Sequence, residues 1–420
     1  MMRLSPLFFL SAALIAGPFA AGTAMAAGEK LLYSFTGGID GADPSAAVIA
    51  DPSGALYGVT ASGGAAQLGT VFRLTRPAPG QTQWTETVLH AFQGLEAGDG
   101  DEPQTALLMD KAGALYGTTF TGGTANNGTF FKLTPPAGGI GQWTEEVLYS
   151  FCPKLGACVD GQMPVGMTAG RNGEFYGVTE FGGPLHNGAV VKLTPPAPGK
   201  SAWTETVLTA LPRGSQPRTA VVIDDAGILY GTTSFGGAYN RGSVFRVTPP
   251  AEGKTGWTGE TIWSFGRTAS DGRTPQAAVT IGPDGALYGT TALGGGSANV
   301  GVVFRLVPPG PGHSSAREFV LHRFAASEGA NALASVVFDS KGALYGASAA
   351  GGSANQGSIF KLVPAAGGTA WLEQTLHSFH GKGDADEPID RVLIRPSGVL
   401  IGVADLGGKF GEGAVYQIVP

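Results

Sequence analysis

A Leu-Tyr-Gly phrase, followed by Thr-rich residues and a Gly-Gly pair, recurs seven times along this chain and dictates what it can become. The aromatic centres are Tyr57, Tyr116, Tyr176, Tyr230, Tyr288 and Tyr345, with Ile401 in the seventh place. Successive intervals are 59, 60, 54, 58, 57 and 56 residues. A period of this length, filled with strand-forming residues, predicts a radial or stacked repeat. The 420 residues have room for more than one ordinary domain, but no break in the period offers a linker. One closed body is expected.

The copy from Pro103 to Phe151 shows what each repeat builds. Thr105 to Met109 is a short apolar strand ending at the turn Asp110-Lys111-Ala112-Gly113. Ala114 to Phe120, rich in Leu, Tyr and Thr, reads as a second strand. Gly122 to Gly128 makes a hairpin loop in which Asn126 and Asn127 suit positive φ. Thr129 to Thr134 alternates as a third strand, the Pro135-Pro136 loop interrupts it, and Trp143 to Phe151 supplies a fourth. Four antiparallel strands in under sixty residues make a propeller blade. Gly (69) and Pro (28) together reach about 23% of the chain, as many tight turns require, while 43% apolar residues exclude disorder.

The ends decide the blade count. Leu31-Leu32-Tyr33-Ser34-Phe35 matches a fourth strand with no first three before it, and the seventh copy stops at a third strand, Ala414 to Ile418. The N-terminal strand is therefore expected to complete the last blade of an all-β, seven-bladed propeller over residues 28–420. Closure would leave no exposed edge between blades.

Before that strand, Arg3, an apolar run from Leu7 to Ala16 and Ala24-Met25-Ala26 form the three parts of a cleavable signal peptide over residues 1–26. Its removal leaves 25 basic against 32 acidic residues, a balance that does not suit nucleic acid. No later segment is long and apolar enough to span a membrane. A secreted or periplasmic monomer follows, in a compartment where Cys152 and Cys158 would pair. So small a ring would contribute on the order of 2 kcal/mol at most.

The repeat resembles the GloVer-type (gloverin-like) tandem repeats of secreted and surface bacterial proteins. The matching phrase is Asp51-Pro-Ser-Gly-Ala-Leu-Tyr57-Gly-Val-Thr-Ala-Ser-Gly63-Gly64, then Gly69-Thr-Val-Phe-Arg-Leu-Thr75. The resemblance implies an exported propeller and almost nothing about activity. It also implies a C-terminal sorting anchor, whereas this sequence ends at Val419-Pro420.

Strand order places the Gly-Gly hairpins and the connectors between blades on one face. That face collects Asp40, Asp43, Asp99, Asp101, Glu102, Asp160, Asp271, Asp384, Asp386 and Glu387, with Asp-Glu-Pro ending two connectors. Several carboxylates together suit Ca²⁺ or another cation, although no twelve-residue Ca²⁺ loop is present. Turn formation is the plainer account. No other cofactor is implied.

Trp84, Trp143, Trp203, Trp257 and Trp371 begin the fourth strands, and one copy has Ala316 instead. They either cover the Pro-rich loops or form rim sites for carbohydrate, whereas the repeated Tyr and Phe belong to packing between blades. His90, His322 and His377 fall in outer strands and His313 in a Pro-rich loop. His186 occupies a hairpin where other copies use Asn. No Gly-x-Ser-x-Gly elbow, His-Glu-x-x-His pair or phosphate loop occurs, so no catalytic residue is assigned. The expectation is an exported non-catalytic binding or scaffolding propeller for an extracellular protein or glycan. An extracellular hydrolase or lyase with its site at the channel mouth, or a glycan binder using the rim tryptophans, are the alternatives.

Overall fold

In a computed structural model that describes residues 28–139, 141–153, 158–310, 315–365, 370–381 and 383–420, every copy of the repeat folds as an antiparallel sheet. Blades 1 to 6 span residues 49–91, 108–150, 162–210, 222–264, 280–323 and 337–378, each with four strands in chain order. Blade 7 combines Leu393–Ile394, Leu400–Gly407 and Ala414–Val419 with the N-terminal strand Gly28–Ser34. The pairing runs from Gly28 opposite Val419 to Ser34 opposite Ala414. A bulge after the second residue pair from the Gly-Gly hairpin end offsets the outer strand from the third strand in all seven blades, the N-terminal strand included. The borrowed strand thus occupies the register of a native fourth strand.

Seven apolar clusters lie between neighbouring blades, and one of them joins blade 7 to blade 1 through Val403 and Val415 on one side and Leu56, Phe72 and Leu74 on the other. An open row of seven sheets would have six such seams; the seventh closes the ring.

The repeated phrase has a packing cause. A side chain at Gly58 would place its Cβ 2.6 Å from the Phe72 ring of the adjoining strand, and Gly117 stands in the same relation to Phe131. The glycine gives the third-strand aromatic ring a seat. At the hairpins, a Cβ on Gly69 would meet Pro103 of the next blade at 2.6 Å, and one on Gly413 of blade 7 would meet Pro44 at 2.3 Å. These contacts pass the ring from blade to blade and across its closure.

The first strand of blade 2 is shorter than its sequence suggests: Thr105 to Met109 pairs only through Leu108–Met109, whereas blade 3 has a first strand over Gln162–Ala169. Glu102 takes a left-handed φ of 54° and Pro103 lacks an amide, so the chain enters the blade off the ladder. The hairpin and connector loops do share one face, where Gly100–Asp101 pairs with Thr121–Gly122 and Gly272–Arg273 with Leu293–Gly294. On the opposite face each Asp-x-x-Gly turn holds the blade's tyrosine. Tyr57 donates to Asp51 at 3.1 Å, Tyr230 to Asp224 at 3.3 Å and Tyr345 to Asp339 at 3.2 Å. In blade 7 Arg395 and Ile401 replace both partners together, and Arg395 instead donates to Gly54 O at 3.1 Å. Residues 1–26, where a signal peptide is expected, and His313 lie outside the described residues.

Candidate functional site

At the outer edge, each connector folds back over the strand it has just left. An acidic side chain then accepts an amide of its own turn: Asp40 from Thr36 (3.0 Å), Asp99 from Gln93 (2.9 Å) and Asp160 from Cys152 (2.9 Å). Asp271 accepts from Arg267 (2.9 Å), Glu328 from Ala325 (2.9 Å) and Asp384 from His380 (3.0 Å). A ring near the end of the outer strand adds a second bond in four of these turns. Tyr33 and Tyr149 donate to Asp40 and Asp160 at 2.9 and 2.7 Å, while His90 and His322 meet Asp99 and Glu328 at 2.9 and 3.0 Å.

The next blade brings a glutamate from the start of its own outer strand into the same groove. Glu86 faces Asp40, Glu145 faces Asp99, Glu205 faces Asp160, Glu318 faces Asp271 and Glu373 faces Glu328. Glu29 reaches His377 and Asp384 in the groove between blades 6 and 7. Burial, reinforced by the facing carboxylate, pushes Glu86 and Glu145 up to about 7 and Glu205 up to about 8. Glu318 moves the same way for the same reasons. One oxygen each of Glu86, Glu145, Glu205, Glu318 and Asp271 is buried without a hydrogen-bond donor among the described residues. Two carboxylates that face each other become partners only if one carries a proton or a cation lies between them.

The groove between blades 3 and 4 departs from this pattern. Ser215 stands for the connector acid, Thr209 for the ring and Gly259 for the glutamate, and a hollow of about 50 Å³ opens beside Thr209, Leu211 and Gly259.

Asp99 and Asp384 therefore belong to these outer grooves. Asp101, Glu102, Asp386 and Glu387 lie where the connector enters a blade, beside the channel mouth. Glu102 and Glu387 adopt left-handed φ of 54° and 55° and donate their amides to the preceding blade's hairpin, to Leu68 O at 3.1 Å and Gln356 O at 3.2 Å. Burial raises Asp101, Glu102 and Asp386, and Asp386 also accepts from the Gln356 amide. Nearby, Asp405 is pushed up to about 6 by burial and then by Asp43 and Glu387. His186 sits in the hairpin turn at φ 58°, the place of Asn126 and Asn240 in other blades.

The five tryptophans are half-buried. Trp143 packs on Tyr57 of the preceding blade with centroids 6.3 Å apart, Trp257 on Tyr176 at 5.8 Å and Trp371 on Tyr288 at 6.4 Å. Trp203 lies between Phe130 and Phe175, and Trp84 borders the cluster that closes the ring. Cys152 and Cys158 form a disulfide in the connector after blade 2.

Sequence reasoning gathered the connector acids except Glu328 and missed Glu29, Glu86, Glu145, Glu205, Glu318 and Glu373. Their recurrence at one outer-strand position was the available signal.

The Gloeobacter/Verrucomicrobia repeat profile matches residues 16–167 and 163–416. The chain belongs to that family. The gloverin likeness is corrected accordingly: this repeat is named for Gloeobacter and Verrucomicrobia. No curated protein matches. Among solved structures, this Gloeobacter/Verrucomicrobia repeat protein is similar to a candidate 6-phosphogluconolactonase from Bacteroides uniformis. Identity there is 15%, with 82% of this chain and 87% of that one covered and a TM-score of 0.50. A candidate oxidoreductase (glucose dehydrogenase) from Thermus thermophilus matches at 16% identity over 94% of this chain and 100% of its own, TM-score 0.42. A luciferin-regenerating enzyme matches at 14% over 75% and 90%, TM-score 0.42. At such identities the likeness is one of fold alone.

Proposed function

We infer that this protein is an exported binding or scaffolding propeller that engages an extracellular macromolecule, protein or glycan, through its hairpin and connector face. One observation carries the reading. Of fourteen large apolar side chains exposed among the described residues, ten lie on that face. Phe181, Phe235, Leu293 and Leu406 precede the Gly-Gly pairs, Leu185, Tyr239 and Phe410 sit in the hairpin tips, and Ile39, Leu95 and Val159 lie in connectors. An apolar crown of this kind on a rigid ring suits an extended partner. The hollow beside Thr209 and a second beside Gln104 and Arg218, about 50 and 40 Å³, are each far below the several hundred Å³ of a small-molecule site. The leader-like N-terminus and the disulfide support export.

The test compares wild type with Phe181→Ser/Phe235→Ser/Tyr239→Ser in capture from the culture medium and on a glycan array, with Leu372→Ser on the opposite face as control. Binding lost in the triple variant and kept in the control supports the reading; equal binding by all three proteins overturns it.

A hydrolase or lyase reading has one favourable observation, Asp405 held near 6 beside Asp43 and Glu387 at the channel mouth. Any hydrolytic activity that survives in Asp405→Asn removes it.

A further inference from the structure

We propose that Glu29, His377 and Asp384 form a binding site for a single divalent transition cation of the Zn²⁺ type, clasping the N-terminal strand to blade 6. His377 comes from the outer strand of blade 6, Asp384 from the connector that follows, and Glu29 from the strand that closes the ring. His377 Nε2 lies 3.5 Å from Glu29 Oε2 and 3.8 Å from Asp384 Oδ2. These separations are too long for hydrogen bonds, and Nε2 is buried without a partner. Metal–ligand bonds of about 2.0–2.2 Å set ligand atoms roughly 3.3–3.6 Å apart around a tetrahedron.

The related grooves sharpen the contrast. His90 and His322 have the same setting but close directly onto their acids at 2.9 and 3.0 Å, which uses the nitrogen a cation would need. Here each ligand atom keeps a lone pair for a cation, although Asp384 Oδ2 also accepts the His380 amide at 3.0 Å. The Ala385 amide binds Asp384 Oδ1 at 2.9 Å and Glu29 Oε1 at 3.3 Å, so Glu29 Oε2 and Asp384 Oδ2 both face the imidazole. Exposed His380, whose Nδ1 is 3.5 Å from Asp384 Oδ2, or a water supplies the fourth position. One imidazole and two carboxylates suit Zn²⁺ and its neighbours; Ca²⁺ demands six or more oxygens.

The experiment titrates chelator-stripped full-length protein with Zn²⁺ in a calorimeter and records the melting temperature with and without the ion. Wild type is expected to take up one equivalent and melt higher. His377→Gln and Glu29→Gln, which keep size and the Ala385 contact, should bind at least roughly a hundredfold more weakly. His322→Gln should bind as wild type does. No uptake by wild type, equal uptake by His377→Gln, or loss in His322→Gln instead would each overturn the assignment.

Discussion

The grooves on either side of blade 3 have the same architecture and opposite chemistry. Between blades 2 and 3, Asp160 binds Tyr149 and the Cys152 amide and faces Glu205. Between blades 3 and 4 the corresponding side chains are Ser215, Thr209 and Gly259, and the charged group lining the hollow, Glu260, is half-buried and paired with Arg246 at 2.6 Å. All three positions change together here. The ring is the member that can be lost alone: between blades 4 and 5, Asp271 still faces Glu318 although Trp263 stands in the ring place and makes no bond to the acid. Blade 7 repeats the joint change on the opposite face, where Arg395 and Ile401 replace the Asp–Tyr pair together.

The largest expected effect breaks the charged groove alone. Asp160→Ala orphans the Tyr149 hydroxyl and the Cys152 amide and should destabilise by about 3 kcal/mol, whereas Ser215→Ala should cost below about 1 kcal/mol. Urea unfolding of both variants checks this, and equal losses would dissolve the contrast.

A middle effect comes with pH. The folded chain keeps protons on Glu86, Glu145 and Glu205 that the unfolded chain releases near 4.5, since their folded values lie at about 7, 7 and 8. More protons bound in the folded state mean that stability is fully present below about pH 4.5 and is lost as pH rises through 7 to 8. Glu205→Gln should therefore match wild type near pH 4 and surpass it near pH 8.5, read from urea midpoints at the two values.

The smallest effect probes the uncharged groove. A Cβ at Gly259 would lie 2.5 Å from Thr209 Oγ1, so Gly259→Ala should cost about 1 kcal/mol, and Thr209→Ala in the same chain should relieve it. Additive losses in the double variant would place the strain elsewhere.

The ring itself was legible because its signals are local. Each Leu-Tyr-Gly phrase sits in one strand, and the mismatch between an orphan fourth strand and an unfinished seventh copy shows in residue order. The grooves were not legible, because their partners are about 45 residues apart. Glu205, near the start of an exposed-looking Thr-Glu-Thr strand, reads as solvated until the preceding connector covers it. A still longer separation hid the tryptophans' neighbours: Trp143 stands just before the outer strand of one blade and rests on Tyr57 of the preceding one. The Thr105–Met109 strand was overestimated because left-handed Glu102 and the Pro103 ring delay its pairing to Leu108, in a way composition does not show.

Joining Gly28 to Val419 also sets an order of events. The earliest of these segments to be synthesised waits for the last, so that long-range encounter is the expected slow step of folding, and the outward hydrogen-bonding groups of Ala414–Val419 stay open to strangers until it happens. A circular permutant that joins these termini and opens the chain in a Pro-rich loop would make that meeting local, and should reach its native form sooner with less loss to aggregation.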